Sequence, residues 1–330
     1  MNRFQLLIVL TASIFLVSGS ALGEHAPRNC VACGDPITGA SYETDGSFYH
    51  PEHFACAHCG LPIKGAYTVY RERNYHGDCF QTHVALHCSV CDQTIQGEYL
   101  IDFWGNTSHL RHRGDVVRCD FCNRFIVGHL GDNMMRLQDK RHLCGICSPT
   151  SITNLVEARS LMSEVAQHMQ RFGLGVDPNQ IEFHLVGVKK LQKLARKRSD
   201  SVTGFTDCEA RKSLFGRTEH QSIKVYLLNG MPRTQMVSTL AHELTHVWLF
   251  VQGRLRHDKA LAEGSCNYAS YLVLQNMGGD EAAYIIHNME RDKDRIYGGG
   301  YRRVKRYVEK HGMAEWIALL KKRDTMVSSF

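Results

Sequence analysis

The chain has 330 residues, enough for two or three domains. Hydrophobic residues make up 43% of it and charged residues 22%, values that exclude a disordered or low-complexity protein. The net charge of +6 does not by itself indicate nucleic-acid binding, whereas 13 cysteines and 19 histidines indicate metal sites or disulfides.

Residues 1–23 have the layout of a secretory signal peptide. Arg3 supplies a positive start, residues 6–17 form an apolar run, and Ala21 and Gly23 are small residues placed for cleavage. The run is too short for a typical spanning helix, so we expect a secreted or periplasmic protein without a membrane span after cleavage. An uncleaved segment that anchors the protein to a membrane is the alternative.

Residues 28–83 contain four pairs of cysteines and histidines, each pair separated by two residues. Such a pair can point both side chains at one metal ion, and tetrahedral zinc takes four nitrogen or sulfur ligands. Eight candidate ligands therefore predict two zinc sites. They are Cys30, Cys33, His50, His53, Cys56, Cys59, His76 and Cys79.

The same order of pairs recurs in residues 86–148 with longer spacers, which indicates an internal repeat and two further zinc sites. A disulfide framework is the alternative for an exported protein, but it gives no reason for histidines in register with cysteines. His112 is the least secure ligand because it precedes a longer spacer. The candidate ligands of the repeat are Cys88, Cys91, His109, His112, Cys119, Cys122, Cys144 and Cys147.

The first module resembles a LIM domain, most clearly in the string YHPEHFACAHC at residues 49–59, and the second resembles a degenerate LIM module. His53 and His76 stand where the usual LIM domain has cysteine, and histidine still ligates zinc there. The resemblance implies modules of two stacked zinc ribbons that bind protein partners. Their short hairpins bury little apolar area, so zinc must supply much of their folding energy.

Residues 150–330 have an ordinary composition and predict an α+β domain. Strands are predicted over residues 181–188 and 223–228. Apolar spacing and chain-breaking residues predict helices over residues 153–172, 189–198, 234–251 and 259–277.

The predicted helix over residues 234–251 carries the sequence HELTH at residues 242–246. Residues four apart share one face of a helix, so His242 and His246 can ligate the same zinc ion. In metalloproteases with this motif the glutamate, here Glu243, is the general base. The motif therefore predicts a catalytic zinc site.

A catalytic zinc ion needs a third protein ligand and an open position for water. Glu263 lies 17 residues after His246 in the next predicted helix, and a chain reversal between the helices can return it to the metal. A surface role for Glu263 is the alternative, and Asp258 is the competing ligand.

Three strings then extend the resemblance: LAHELTHVW at residues 240–248, AEGSC at 262–266 and YGGGYR at 297–302. With the order of modules, they resemble the plant growth-regulating, ubiquitin-activated LIM peptidases, the DA-one family. The resemblance implies a zincin-like, gluzincin-type endopeptidase with Glu243 as base and His242, His246 and Glu263 as zinc ligands. Because a signal peptide stands where that family has ubiquitin-interacting helices, we interpret the chain as an exported homologue of bacterial type without ubiquitin activation.

Tyr297 and Tyr301 flank a glycine run and are candidate oxyanion donors, with packing as the alternative role. The predicted strand over residues 223–228 is a candidate partner for an extended substrate. Cys208 and Cys266 either pair after export or remain free.

The sequence therefore predicts two tandem LIM-type modules, rich in β-hairpins, followed by a zincin-like metallopeptidase domain. One catalytic and up to four structural zinc ions are expected. The function is that of an exported zinc endopeptidase acting on proteins or peptides, with the LIM modules binding partners or restraining activity. Its basic runs are interpreted as solvated helix faces rather than specific nucleic-acid sites. A secreted, non-catalytic LIM-type scaffold is the alternative.

Overall fold

The structure is a computed structural model. It divides into two compact units, Met1–Val117 and Arg118–Phe330. The boundary falls inside the predicted second module, residues 86–148, so the last metal ribbon belongs to the C-terminal unit. The structure describes residues 3–7, 10–12, 15–17, 28–44, 46–114, 116–127, 132–196, 202–212, 218–253 and 258–322.

The N-terminal unit is built from antiparallel hairpins, in which β4 pairs with β5, β6 with β7 and β8 with β9. Strands β1, β2 and β3, from the predicted signal peptide, pair with β8, β6 and β4, while residues 18–23 lie outside the described residues. The elements are β1 (Arg3–Leu7), β2 (Leu10–Ala12), β3 (Phe15–Val17), β4 (Ser41–Thr44), β5 (Ser47–Tyr49), β6 (Tyr67–Tyr70), β7 (Arg73–His76), α1 (Gly77–His83), β8 (Gly97–Ile101) and β9 (Thr107–His109).

Each pair of cysteines that opens a ribbon lies in a turn of the same shape. The residue after the second cysteine donates its N–H to the carbonyl of the first at 2.7–2.9 Å and has a positive φ. Glycine, asparagine and aspartate adopt this conformation at least cost, and they occupy all four positions. The four residues are Gly34, Gly60, Asp92 and Asn123.

The apolar clusters under these hairpins are small. In the first module Phe54 packs edge-on against Tyr67, with ring centroids 5.0 Å apart, beside the buried Ile63 and Phe80. In the second, the buried cluster consists of Cys88, Ile95 and Tyr99 among the described residues. Clusters of this size cannot hold a fold of this length alone, which agrees with modules that depend on metal.

The C-terminal unit is a mixed α/β structure with one large core. The elements are β10 (Met135–Arg136), β11 (His142–Leu143), β12 (Ser151–Ile152), α2 (Leu155–Gln170), β13 (Glu182–Val186), α3 (Val188–Leu194), β14 (Gly204–Lys212), β15 (Thr218–Leu228), β16 (Met231–Pro232), α4 (Arg233–Val251), α5 (Lys259–Met277), α6 (Asp280–Arg291), α7 (Tyr297–His311) and α8 (Met313–Lys321).

The main sheet of this unit has the strand order β13-β15-β14. The central strand β15 is parallel to β13 and antiparallel to β14. The prediction that residues 223–228 pair with a substrate is therefore wrong, because both edges of that strand are already hydrogen-bonded. Among the described residues, β14 is paired along one edge only and lies beside α4, and the sequence did not predict this strand.

The predicted helices are present as α2, α3, α4 and α5, and α5 has the predicted bounds. Thirteen of the 19 residues of α4 are buried, as expected for a helix that is apolar on most sides. None of the helices in the described ranges has both the length and the apolar character needed to cross a bilayer.

The last ribbon is fixed to the main core of the C-terminal unit by direct contacts. Arg141 Nη2 donates to the carbonyl of Asn229 at 2.6 Å, and Phe121 packs against the core. Leu137 lies so close to Gly230 that a Cβ there would come within 2.8 Å of it. The ribbon therefore covers the turn between β15 and α4.

We predict that a fragment of residues 118–330 is more stable than one of residues 150–330. The shorter fragment exposes the surfaces covered by Phe121 and Leu137, which should cost about 2–4 kcal/mol. That loss corresponds to a decrease of roughly 5–15 °C in Tm. Thermal unfolding of both fragments measures the difference, and equal Tm values would show that the ribbon is not part of the folded unit.

Candidate metal centre

Four clusters of cysteine and histidine have the geometry of zinc sites. Within each, the ligand atoms all lie within 4.8 Å of one another. The structure shows that the first and second pairs of each predicted set share one site, and the third and fourth pairs share the next. The clusters are Cys30, Cys33, His50 and His53; Cys56, Cys59, His76 and Cys79; Cys88, Cys91, His109 and His112; and Cys119, Cys122, Cys144 and Cys147.

The separations within these clusters match those of tetrahedral zinc. Zinc–sulfur bonds of about 2.3 Å and zinc–nitrogen bonds of about 2.0–2.1 Å place sulfur and nitrogen ligands about 3.5–3.6 Å apart. The distance from cysteine Sγ to histidine Nδ1 is 3.6 Å in each of the pairs Cys30–His53, Cys33–His50 and Cys91–His109. His112, the least secure ligand in the sequence, lies within its cluster, and its Nε2 atom is buried without a hydrogen bond among the described residues.

Thiolate is the form of cysteine that binds zinc, and each of the four clusters contains at least one cysteine whose pKa is lowered. Burial raises the pKa of the Cys30 thiol, but hydrogen bonds, first among them that from the His50 N–H, lower it to about 6. Cys56 behaves alike: burial raises its pKa, while the N–H groups of Cys59 and His76 help to lower it to about 6. These cysteines are therefore ready to ligate metal near neutral pH.

A fifth cluster lies between α4 and α5. The rings of His242 and His246 have centroids 5.0 Å apart on α4, and α5 presents Glu263 to both. Glu263 Oε2 is 3.3 Å from His242 Nε2 and 3.5 Å from His246 Nε2. Nitrogen and oxygen ligands of tetrahedral zinc lie about 3.3–3.4 Å apart, so these atoms have the separations of three ligands of one ion.

The environment of Glu263 also fits a cation. Its side chain is 22% exposed, and its Oε2 atom is buried without a hydrogen bond of normal geometry among the described residues. Burial raises the pKa of this carboxyl, but the imidazoles of His242 and His246 outweigh burial and hold the pKa well below its usual range. A buried anionic oxygen that faces two ring nitrogens is a suitable set of donors for zinc.

Cys266 is a second potential donor, because its Sγ lies within 4.8 Å of the ligand atoms of His242 and His246. Burial raises the pKa of this thiol well above its usual value. Glu263 is the better-placed third ligand, because its Oε2 atom lies 3.3 and 3.5 Å from the two Nε2 atoms and its carboxyl has a lowered pKa. Cys208 and Cys266 are both free thiols.

Two alternatives from the sequence are excluded by their contacts. Asp258 caps α5, where its Oδ1 accepts two backbone N–H groups at 2.9 and 3.1 Å. Tyr301 is fully buried and donates to Glu290 Oε1 at 2.8 Å, so its prediction as an oxyanion donor is wrong. Tyr297 stays a candidate, because its ring lies 6.5 Å from the His242 ring, centroid to centroid.

Asn267 orients the first histidine. His242 Nδ1 and Asn267 Oδ1 are 2.9 Å apart, and Asn267 Nδ2 donates to the carbonyl of Tyr297 at 3.3 Å. Because the amide oxygen can only accept, His242 Nδ1 carries the proton and Nε2 is left free for metal. Asn267 thus sets both the tautomer and the ring orientation.

Strand β14 positions Glu243. Thr206 Oγ1 donates to Glu243 Oε2 at 2.7 Å, and the Glu243 residue is 5% exposed. A Cβ at Gly204 would lie 2.5 Å from Glu243 Oε1, so a side chain there would displace the carboxylate. The strand backbone therefore passes directly over the candidate base.

Sequence reasoning missed Gly204, Thr206 and Asn267. A signal existed for Asn267, because it lies four residues after Glu263 and hence on the same face of α5. No local pattern indicated Gly204 or Thr206, since neither lay in a predicted element.

Two family models match the chain. Residues 30–84 match the LIM domain, and residues 190–283 match a model described as DA1-like, Protein DA1. The second match contains the two histidines, both glutamates and Asn267 of the fifth cluster.

Plant proteins match most of the chain. The chain is 24% identical to Protein DA1-related 2 of Arabidopsis thaliana, over 87% of this chain and 67% of that protein. It is 24% identical to LIM domain-containing protein HDR3 of Oryza sativa subsp. japonica, over 87% of this chain and 72% of that protein. The chain thus carries a LIM domain followed by a DA1-like domain and is homologous to plant DA1 proteins.

We predict that Asn267→Ala weakens zinc binding at the fifth cluster about 10- to 100-fold, because His242 loses its orienting partner. The measurement is the zinc retained after dialysis against graded chelator, in which one ion per chain should leave at lower chelator concentration than in the parent protein. Asn276→Ala, an exposed asparagine on the same helix, is the matched control. Identical release curves for the two variants would contradict the role of Asn267.

Proposed function

We propose that the protein is a zinc-dependent endopeptidase of the gluzincin type, with a zincin-like catalytic domain in the C-terminal unit. The observation that carries the proposal is the convergence of Glu263 Oε2 on the Nε2 atoms of His242 and His246 at 3.3 and 3.5 Å, beside the buried Glu243. Two histidines and a glutamate are a known catalytic zinc set.

The residues divide the chemistry among them. His242, His246 and Glu263 would hold a zinc ion, which would supply Lewis-acid chemistry for the scissile carbonyl and for water. Glu243, held by Thr206, accepts a proton from the attacking water and delivers it to the leaving amine. Tyr297 is the candidate donor to the oxyanion.

The free edge of β14 is the proposed binding site for an extended substrate. Exposed strand edges bind peptides by backbone hydrogen bonds. Because Gly204 and Thr206 of this strand contact Glu243, a peptide paired with β14 would have its backbone next to the base.

The LIM modules are proposed to bind partners or to restrain activity, since their cysteines and histidines form metal clusters of their own. Export to the periplasm or the exterior is proposed from the layout of residues 1–23. In a secreted scaffold, the rival function, Glu243 would merely be a polar residue within a helix.

We predict five zinc ions per chain, one for each cluster. Elemental analysis of the purified protein measures the number, and Cys144→Ser should reduce it to four because its cluster loses one of four ligands. One zinc ion or none, with oxidised cysteines, would contradict the assignment of the LIM modules as zinc ribbons.

Glu243→Gln should abolish most peptidase activity while leaving zinc content and Tm unchanged. The substitution keeps the shape of the side chain and removes the base, and positioned proton transfer contributes about 10²- to 10⁴-fold in rate. Hydrolysis of a quenched-fluorescent peptide library measures the loss.

His246→Ala is the comparison, because it removes a ligand: activity and one zinc ion should be lost together. If Glu243→Gln retained the activity of the parent protein, with a contaminating protease ruled out, the mechanism would be refuted.

A further inference from the structure

A basic groove lies on the outer side of α7. Its helical members follow the i, i+3, i+4 and i+7 spacing of one helix face, and two cations from the preceding loop complete it. The groove has a volume of about 400 Å³. Its lining residues are Lys293, Arg295, Gly299, Arg302, Arg303 and Arg306.

The loop and the helix are held together by specific contacts. Arg302 Nη1 donates to the carbonyls of Glu290 and Asp292 at 3.0 and 2.7 Å. A Cβ at Gly298 would lie 2.2 Å from the carbonyl oxygen of Asp292, so glycine is needed for the loop to lie against the helix. The cations of the loop therefore keep a fixed position relative to those of α7.

The acidic residues near the groove, Asp294 and Glu290, interact with groups outside it. Asp294 Oδ1 accepts the N–H groups of Ile296 and Tyr297 at 2.8 Å each and so caps α7. Glu290 pairs with Lys305, which does not line the groove. The lining residues include no carboxylate.

Within the described ranges, Lys293, Arg295 and Arg306 make no ion pair, and all three are exposed. Like charges held this close repel one another, and an anionic ligand relieves that repulsion. The groove therefore has the electrostatics of a binding site for an anion.

The groove and the metal centre lie on opposite sides of α7. Tyr301 and Val304 bury the inner face against the core, and Tyr297, at the first turn, stacks beside His242. A chain that runs around half of a helix about 10 Å in diameter covers roughly 16 Å, so about five residues of extended chain connect the two sites. The basic face from Gly299 to Arg306 is about 10 Å long, so three or four further residues of an extended peptide can lie along it.

We propose that the basic groove binds an acidic segment of the substrate polypeptide, a few residues from the bond that is cleaved. The proposal rests on the proposed peptidase function. A groove this short fits a peptide better than nucleic acid, whose binding commonly uses six to ten phosphate contacts, about twice what these cations can make.

Binding can be tested without catalysis. In the full-length Glu243→Gln protein, the anisotropy of a labelled octapeptide of alternating Glu and Gly reports binding, with a Gln/Gly octapeptide as neutral comparison. Adding Arg295→Glu and Arg306→Glu should weaken binding of the acidic peptide about tenfold, because like charges then face each other. Lys189→Glu with Lys190→Glu, exposed on α3, makes the same change in net charge and should alter binding less than twofold.

Equal losses in the two double variants would overturn the proposal in favour of attraction by net charge. Tighter binding of an eight-nucleotide single-stranded DNA or of anionic phosphatidylserine vesicles, abolished by the same groove substitutions, would overturn the assignment to a peptide. Absence of acidic-peptide binding to the parent groove would also overturn it.

Kinetics separate this inference from the peptidase proposal. With Glu243 intact, Arg295→Glu with Arg306→Glu should raise KM about tenfold for a substrate with an acidic tail and leave its kcat unchanged. A neutral substrate should be hydrolysed as by the parent protein. Peptide binding without any hydrolysis would refute the peptidase function alone, whereas hydrolysis indifferent to the acidic tail would refute the groove.

Discussion

The carboxylate of Glu263, whose Oε2 atom is buried, is the constraint on which the C-terminal unit depends. An anion removed from water is unstable unless cations or hydrogen bonds compensate it, and here the two imidazoles of His242 and His246 face the carboxylate. The ligands belong to two helices, so α4 and α5 must lie close together. Ser270 Oγ on α5 donates to the carbonyl of Ser238 on α4 at 2.7 Å, which fixes the helices within two turns of the ligands.

Two glycines allow α5 and α7 to pack closely. A Cβ at Gly264 would lie 2.3 Å from the carbonyl carbon of Gly300, so α5 and α7 approach at backbone distance. This contact gives a physical reason for the strings AEGSC and YGGGYR, whose glycines serve packing. It also brings Tyr297, at the start of α7, beside His242 and Asn267.

How much the sequence could predict depended on the range of the interaction. Ligand pairs two residues apart and the histidines of HELTH are local, and the bounds of α5 were predicted in full. The role of Thr206 was not predictable for two reasons. Its partner, Glu243, lies 37 positions along the chain, and the strand that carries Thr206 has no clear alternating pattern of apolar residues. The last ribbon was predicted to belong to the second module, whereas the structure places it in the C-terminal unit, because the contacts that fix it there are also distant in sequence. Its contact from Arg141 to Asn229 spans 88 positions, and only the folded chain shows it.

Strand β14 joins two tasks that the sequence treated separately. Thr206 donates to the carboxylate of Glu243 and the backbone at Gly204 lies against it, and the outer edge of the strand is the proposed place for an extended peptide to add backbone hydrogen bonds. A peptide that pairs with this edge would stiffen the strand, and a stiffer strand confines Glu243 more closely. Binding of a well-paired substrate would therefore improve the position of the base, so that good substrates gain in rate as well as in affinity.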